Sequence, residues 1–294
     1  MNEFARFHPI VNFVYFLSVI CFTVVFMNPY VLTVSFISGF SYSAMLLGKK
    51  ALKTNFLLIF PLMIITACIN PLFNHEGITI LAYFPNGNPL TAESVFYGIF
   101  ASLMIFSVIC WFSCFNKIMT SDKIMCIFGN MLPSLSLIFS MVLRFVPKFK
   151  QEFRQIRRAE KCLDNGEKKG VLKKLKSNIK LFSVIISYSL ENSIETSDSM
   201  KCRGFGCAKR TAYSNYILDK RDLAVICTVI VFDVYTVTGA FFGCFHSRFF
   251  PGFKTADFSP YGISVIIIYV LLCFLPHVIE IKEALKWKKL RSKI

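Results

Sequence analysis

The sequence is poor in acid. It carries 17 Asp and Glu against 33 Lys and Arg in 294 residues, and no half of the chain is polar. The acids are outnumbered by Phe alone, which occurs 33 times. Mean hydropathy is +0.57. A soluble domain of this length needs more charge on its surface, so this composition marks a chain whose outer face meets lipid. Several motifs are also missing. The 11 cysteines include no C-x-x-C pair, and neither G-x-x-x-x-G-K-[ST] nor G-x-S-x-G occurs. His8, His75, His246 and His277 are scattered. Only His277 has an acid one helical turn away, Glu280. That pattern supplies no metal-ligand set, no nucleotide loop and no nucleophile with a base. Cys110 and Cys114, one turn apart with no His or acid beside them, read as core packing. Cys202 and Cys207 read as reduced thiols in a cytosolic loop.

What is present is a set of long apolar runs. Six are long enough to cross a bilayer, at roughly 10–27, 30–48, 56–73, 95–116, 223–245 and 261–279. The first could pass for a signal sequence. It ends Phe26-Met27-Asn28-Pro29 with no small-x-small cleavage site, so it reads as a retained span. The fold class expected is all-α: a polytopic integral membrane protein with about six transmembrane helices plus cytoplasmic coupling helices. The chain divides into N-terminal spans (1–116), a cytoplasmic-side helical domain (117–222) and C-terminal spans with a basic tail (223–294).

The location of the +16 charge decides what it means. Lys49, Lys50 and Lys53 lie between the second and third runs, and no Lys or Arg occurs in 73–94. The 117–222 segment is dense in both, and the tail adds Lys282, Lys286, Lys288, Lys289, Arg291 and Lys293. The 246–260 loop holds only Arg248 and Lys254. With both termini in the cytosol, six spans place every basic segment inside and both sparse loops outside. The charge therefore reads as membrane topology and needs no nucleic-acid partner.

Two further apolar stretches, 124–147 and 178–190, break this count. The first is interrupted by Gly129, Pro133 and Arg144, and reading it as a span would put the basic 148–180 segment outside. Both are expected to form apolar-faced helices of the cytoplasmic domain. The alternative makes 124–147 a seventh span or a re-entrant pair. In the later stretch Ile179, Phe182, Ile186 and Leu190 recur on one helical face, and Glu191, Glu195 and Asp198 on another. The acids read as a solvated face, not a catalytic cluster. The pattern ends at Met200-Lys201-Cys202-Arg203 and meets Gly204-Phe205-Gly206, a helix C-terminus signal. Arg203 at that tip has two readings. It is a capping Arg beside a lipid-facing basic loop, or a fork that grips carboxylates or carbonyls of another protein.

The stretch Ser193 to Thr211, SIETSDSMKCRGFGCAKRT, resembles the signature of the T-component family of energy-coupling-factor transporters, which includes the cobalt-transport permeases. In that family an acidic helix leads through Met to Ala-Arg-Gly, then Tyr/Phe-Gly and a basic pair. Here the triplet is Cys202-Arg203-Gly204, with Cys for Ala. LRFVPKF, Leu143 to Phe149, is similar to the family's Arg-Phe-Pro stretch. The resemblance implies a non-catalytic transmembrane coupling subunit of an ATP-driven importer of vitamins or transition-metal ions, without cofactors. It implies as partners two ATP-binding-cassette ATPases and a small substrate-binding membrane subunit, held in a lipid bilayer. Two helix tips, each with an x-Arg-x triplet, would dock the ATPases. The first triplet is missing here: its Arg position aligns with Leu163. Either Arg158 or Lys161 substitutes, or one ATPase is gripped differently.

The alternatives from other classes are a membrane-integral enzyme acting on lipid or prenyl groups and a stand-alone secondary transporter. The first wants a cluster of acids, His or Ser at the membrane face, and the second wants inverted repeats with broken helices. Asp233, inside the fifth run, reads as a structural acid paired with a neighbouring helix, with Tyr235 and Thr236 close in sequence.

Overall fold

The computed structural model describes residues 3–48, 57, 60–83, 88–131, 133–163, 171–207, 216–247, 249–250, 252 and 259–291. It divides into two units, Met1–Ile124 with Tyr216–Ile294, and Met125–Asn215. The first unit holds α1 (Pro9–Val25), α2 (Pro29–Leu47), α3 (Phe60–Phe73), α4 (Ala92–Ile118), α8 (Lys220–Phe241) and α9 (Pro260–Arg291). The second holds α6 (Pro133–Leu163) and α7 (Val171–Cys202), and α5 (Ser121–Met131) runs from one into the other.

These helices start where their sequences prepare a start. Pro9 and Pro29 open α1 and α2 at positions that lack an acceptor for an N–H. His8 and Asn28 cap them, accepting from Ile10 N at 3.3 Å and Tyr30 N at 3.0 Å. Helices α2, α4, α8 and α9 are long and apolar enough to cross a membrane, and α1 and α3 are shorter apolar helices. The six predicted runs thus coincide with six helices of one unit. Their ends differ. Helix α8 stops at Phe241, and Gly243 turns the chain at φ 77°. Helix α9 runs past its apolar part, through Pro276, as far as Arg291. The lysines at 49, 50 and 53 lie outside the described residues.

The all-α expectation holds, with one small non-helical element beside the helices. Between α3 and α4, β1 (Ile80–Tyr83) and β2 (Pro89–Thr91) pair antiparallel, with Ile80 opposite Thr91 and Tyr83 opposite Pro89. A non-helical connection must satisfy its own backbone, and this ladder does so. Glu93 secures its base: its carboxylate accepts from Thr79 Oγ1 at 2.8 Å and from the Thr79 N–H at 3.3 Å.

The core of the first unit is aromatic. Tyr15, Phe16, Tyr42, Trp111 and Tyr269 are fully buried, and Phe4 inserts among them from the N-terminal segment. Their polar atoms are paired. Trp111 Nε1 donates to Ser35 Oγ at 3.0 Å, and Ser35 lies 2.7 Å from Thr23 Oγ1 and 2.8 Å from Ser107 Oγ. Tyr15 and Ser38 hydroxyls both donate to the Cys273 carbonyl, at 3.2 and 2.7 Å. Lipid supplies no hydrophobic drive between helices, so small residues and hydroxyl contacts hold them together. Gly98 of α4 and Gly239 of α8 are such contacts. A Cβ on Gly98 would stand 2.6 Å from the Ala67 carbonyl of α3, and one on Gly239 would stand 2.7 Å from Val265 of α9. Asp233 is half-buried, and its Oδ1 is buried with no hydrogen-bond partner among the described residues, while the nearby Ser18 hydroxyl of α1 donates to the Tyr15 carbonyl at 2.9 Å. The expected pairing of this acid with a neighbouring helix is not seen among the described residues; Thr236 donates only to its backbone carbonyl, at 2.9 Å.

At the start of α5 sits a buried ammonium. Lys123 is 5% exposed, and its Nζ donates to the Ala5 carbonyl. With the Asn12 amide oriented to satisfy both ends, Asn12 oxygen accepts from Lys123 at 3.1 Å and its nitrogen donates to the Phe4 carbonyl at 3.0 Å. Burial pushes the Lys123 pKa down.

Candidate functional site

Helices α6 and α7 form an antiparallel hairpin. Lys148 meets Asn192 at 3.1 Å, Tyr188 donates to Glu152 at 3.3 Å, and Ser177 donates to Glu160. Their lengths of 31 and 32 residues correspond to about 46 and 48 Å. The 124–147 stretch is not one helix: α5 ends at Met131 and α6 begins at Pro133. Neither of these two is among the helices long and apolar enough to span.

This unit buries little of itself. Among its described residues Leu181 alone is buried, at 4% exposure. The face predicted from periodicity is open: Ile179, Phe182, Ile186 and Leu190 are all exposed, and Ile194 continues it. On α6, Ile138, Phe139, Val142 and Val146 are exposed as well. Isolated apolar side chains on a surface need no explanation, but two continuous stripes on one hairpin do. The acids Glu191, Glu195 and Asp198 are exposed, and Asp198 meets Lys201 at 3.6 Å.

The tip of α7 is closed by a double hydrogen bond. Phe205 N–H donates to the Met200 carbonyl at 3.0 Å and Gly204 N–H to the Lys201 carbonyl at 2.9 Å. These are the two bonds of a Schellman turn, and they require a left-handed residue between them. Gly204 supplies it at φ 82°. The turn leaves Cys202, Arg203, Gly204 and Phe205 exposed. Cys202 and Cys207 are free thiols. Lys209 and Arg210, the basic pair of the signature, lie outside the described residues.

Beside the tip, α6 and α7 enclose a cleft of about 640 Å³. Arg203 lines it with Arg144, Lys148, Glu195, Met200 and Phe145. The structure thus brings Arg203 together with Arg144, the arginine of the LRFVPKF stretch. Sequence reading gave Arg144 no role, although its position in that motif was a usable signal. Arg158 is exposed and lies 14 residues further along α6, about 21 Å from Arg144 at helical rise. It therefore belongs to the other end of the hairpin. The Lys161 side chain lies outside the described residues, and so does the 164–170 turn beyond it.

No group of three or more His, Cys, Asp or Glu side chains able to hold a metal occurs among the described residues. His277 Nε2 lies 2.7 Å from Ser41 Oγ and His75 Nε2 lies 3.1 Å from Asn88. Cys110 and Cys114 are buried in α4. The family of the cobalt transport protein, CbiQ, matches this chain over residues 4–213, which takes in the first four apolar helices, the whole α6–α7 hairpin and the Arg203 turn. Among curated proteins none matches the chain.

Proposed function

This chain belongs to the cobalt transport protein family, and from that premise we propose that it is the transmembrane coupling subunit of an ATP-driven importer of the energy-coupling-factor type. In this reading it is non-catalytic and multi-pass in a bacterial plasma membrane, with both termini and the 117–222 segment in the cytosol. Two ATP-binding-cassette ATPases dock on helix tips. One contact is the Cys202-Arg203-Gly204 tip, and Arg158 and Lys161 are the candidates for the second. A small membrane subunit carries the substrate, a transition-metal ion or a vitamin, and rests on the apolar stripes of α6 and α7. Closure of the ATPase pair would move the tips, and the stiff hairpin would pass that motion to the substrate subunit.

The observation that supports this reading best is the hairpin's own incompleteness. It has one buried side chain among those described and two exposed apolar stripes, and it ends in a rigid turn that presents a guanidinium. A helical pair with so little core gains stability mainly from what packs on it. A guanidinium fork matches carboxylates and carbonyls of a partner protein.

Co-purification tests it. The chain is tagged in its host, solubilised gently and compared with Arg203→Glu. Recovery of two ATPases and a small membrane protein with wild type, and loss of ATPase with the charge reversal, is the expected result. A chain that elutes alone from membranes where the ATPases are expressed overturns the reading.

A further inference from the structure

Among the described residues the α6–α7 cleft holds more cation than acid. Arg144, Lys148 and Arg203 line it, and Glu195 is its one acid. Among the described residues neither Arg144 nor Arg203 lies within 4 Å of a carboxylate, and Lys148 donates to the neutral Asn192 amide. The rest of the lining is mixed: Met141, Phe145 and Met200 are apolar, and Thr196 and Ser199 bear hydroxyls. Two guanidiniums with no described carboxylate partner around one opening make a site for an anion with flat, two-oxygen ends, because each guanidinium offers parallel N–H donors. The apolar walls suit a ligand whose charge sits on a hydrocarbon stem. Glu195 opposes a doubly charged phosphate more than a single carboxylate.

We infer that an acidic segment of the ATPase enters this cleft, and that Arg144 holds the same carboxylate-bearing segment as Arg203. This rests on the coupling reading above and deepens it: the docking element is a cleft between two helices, not a helix tip alone. Arg203 comes from the rigid turn after α7, and Arg144 from the middle of α6. One acceptor gripped by both ties the two helices together at the moment of docking. Force from the ATPase would then enter α6 as well as α7.

The test is a double-mutant cycle on the full-length chain in lipid nanodiscs, titrated with the ATPases that co-purify with wild type. Arg144→Gln, Arg203→Gln and the double variant are compared, and Arg144→Lys serves as the charge-retaining control. Circular dichroism and gel filtration check each variant for its fold. Loss of one charge-assisted contact is expected to weaken binding by about tenfold in each single variant. The double variant is expected to lose clearly less than the product of the two, as residues sharing one acceptor do. Arg144→Lys is expected to fall between wild type and Arg144→Gln. Unchanged affinity in Arg144→Gln, with a loss in Arg203→Gln, overturns the cleft and leaves the coupling reading standing. Multiplying losses overturn the shared acceptor. A loss seen in phosphatidylglycerol nanodiscs but absent in phosphatidylcholine ones assigns Arg144 to a lipid headgroup and overturns the inference. No ATPase bound by wild type removes the coupling reading and this inference with it.

Discussion

The N–H of Phe205 reaches back to the carbonyl of Met200 at 3.0 Å, and the bond exists only because Gly204 between them sits at φ 82°. The turn that presents Arg203 is thus set by one residue. Nothing lies within 4 Å of where a Cβ on Gly204 would stand, so a larger residue meets no clash and pays only in backbone strain. Gly204→Ala is expected to cost about 1 kcal/mol locally. Hydrogen exchange should report it as roughly fivefold faster opening of the amides of 203–205, with the rest of α7 unchanged. Equal exchange in both proteins would contradict the capping role.

Lys123 is a second such device, at the start of α5. Its ammonium satisfies the Ala5 carbonyl and the Asn12 amide oxygen in a buried setting. Lys123→Ala leaves both acceptors without a donor and is expected to destabilise the first unit by about 1–3 kcal/mol. The pH dependence has a definite sign. Burial lowers the folded pKa, so the unfolded chain binds the proton more tightly. Stability from this group therefore rises with pH, between the lowered value and the ordinary value near ~10.4. A thermal melt series on the alkaline side should show that rise in wild type relative to Lys123→Ala. A flat difference between the two would overturn the assignment.

Much of this was readable in the sequence, for stated reasons. The six apolar helices were legible because lipid demands long uncharged runs, and Pro9, Pro29 and Pro133 mark three helix starts. The Arg203 turn was legible because only Gly fits it. The β-hairpin was not read, although Asn86-Gly87 between its strands is a strong hairpin dipeptide. In 73–94 the absence of Lys and Arg indicates which side of the membrane the loop faces and carries no information about its backbone. Phe4 and Lys123 carry no local signal at all. One sits in a short N-terminal stretch and the other beside Asp122 at the head of an apolar stretch, and only packing joins them to Tyr42 and Ala5. Arg144 and Arg203 are 59 positions apart, so the cleft they share is a product of the hairpin's register.

Close helix approach makes a third prediction. A Cβ on Gly98 would lie 2.6 Å from the Ala67 carbonyl, which is backbone and cannot rotate away. Gly98→Ala must push α3 from α4, and overpacking of this kind costs about 1–3 kcal/mol. The melting temperature in detergent should fall, while ATPase capture by the folded fraction stays at the wild-type level. An unchanged melt would mean that the two helices are not held this closely.

The apolar stripe of α7 separates stability from assembly. Ile179, Phe182 and Leu190 are each more than 60% exposed, so the chain by itself gains little from them. Replacing all three with Ser removes apolar surface from solvent, and exposed substitutions of this kind shift stability by no more than about 0.5 kcal/mol each. If the stripe carries a substrate subunit, the same change deletes much of the buried area of that contact, worth roughly 25 cal/mol per Å². The triple variant is therefore expected to melt with wild type, to keep its ATPases, and to lose the small membrane protein in co-purification. Loss of the fold together with the partner would show that the stripe packs within the chain. Retention of the partner would place the substrate subunit on another face.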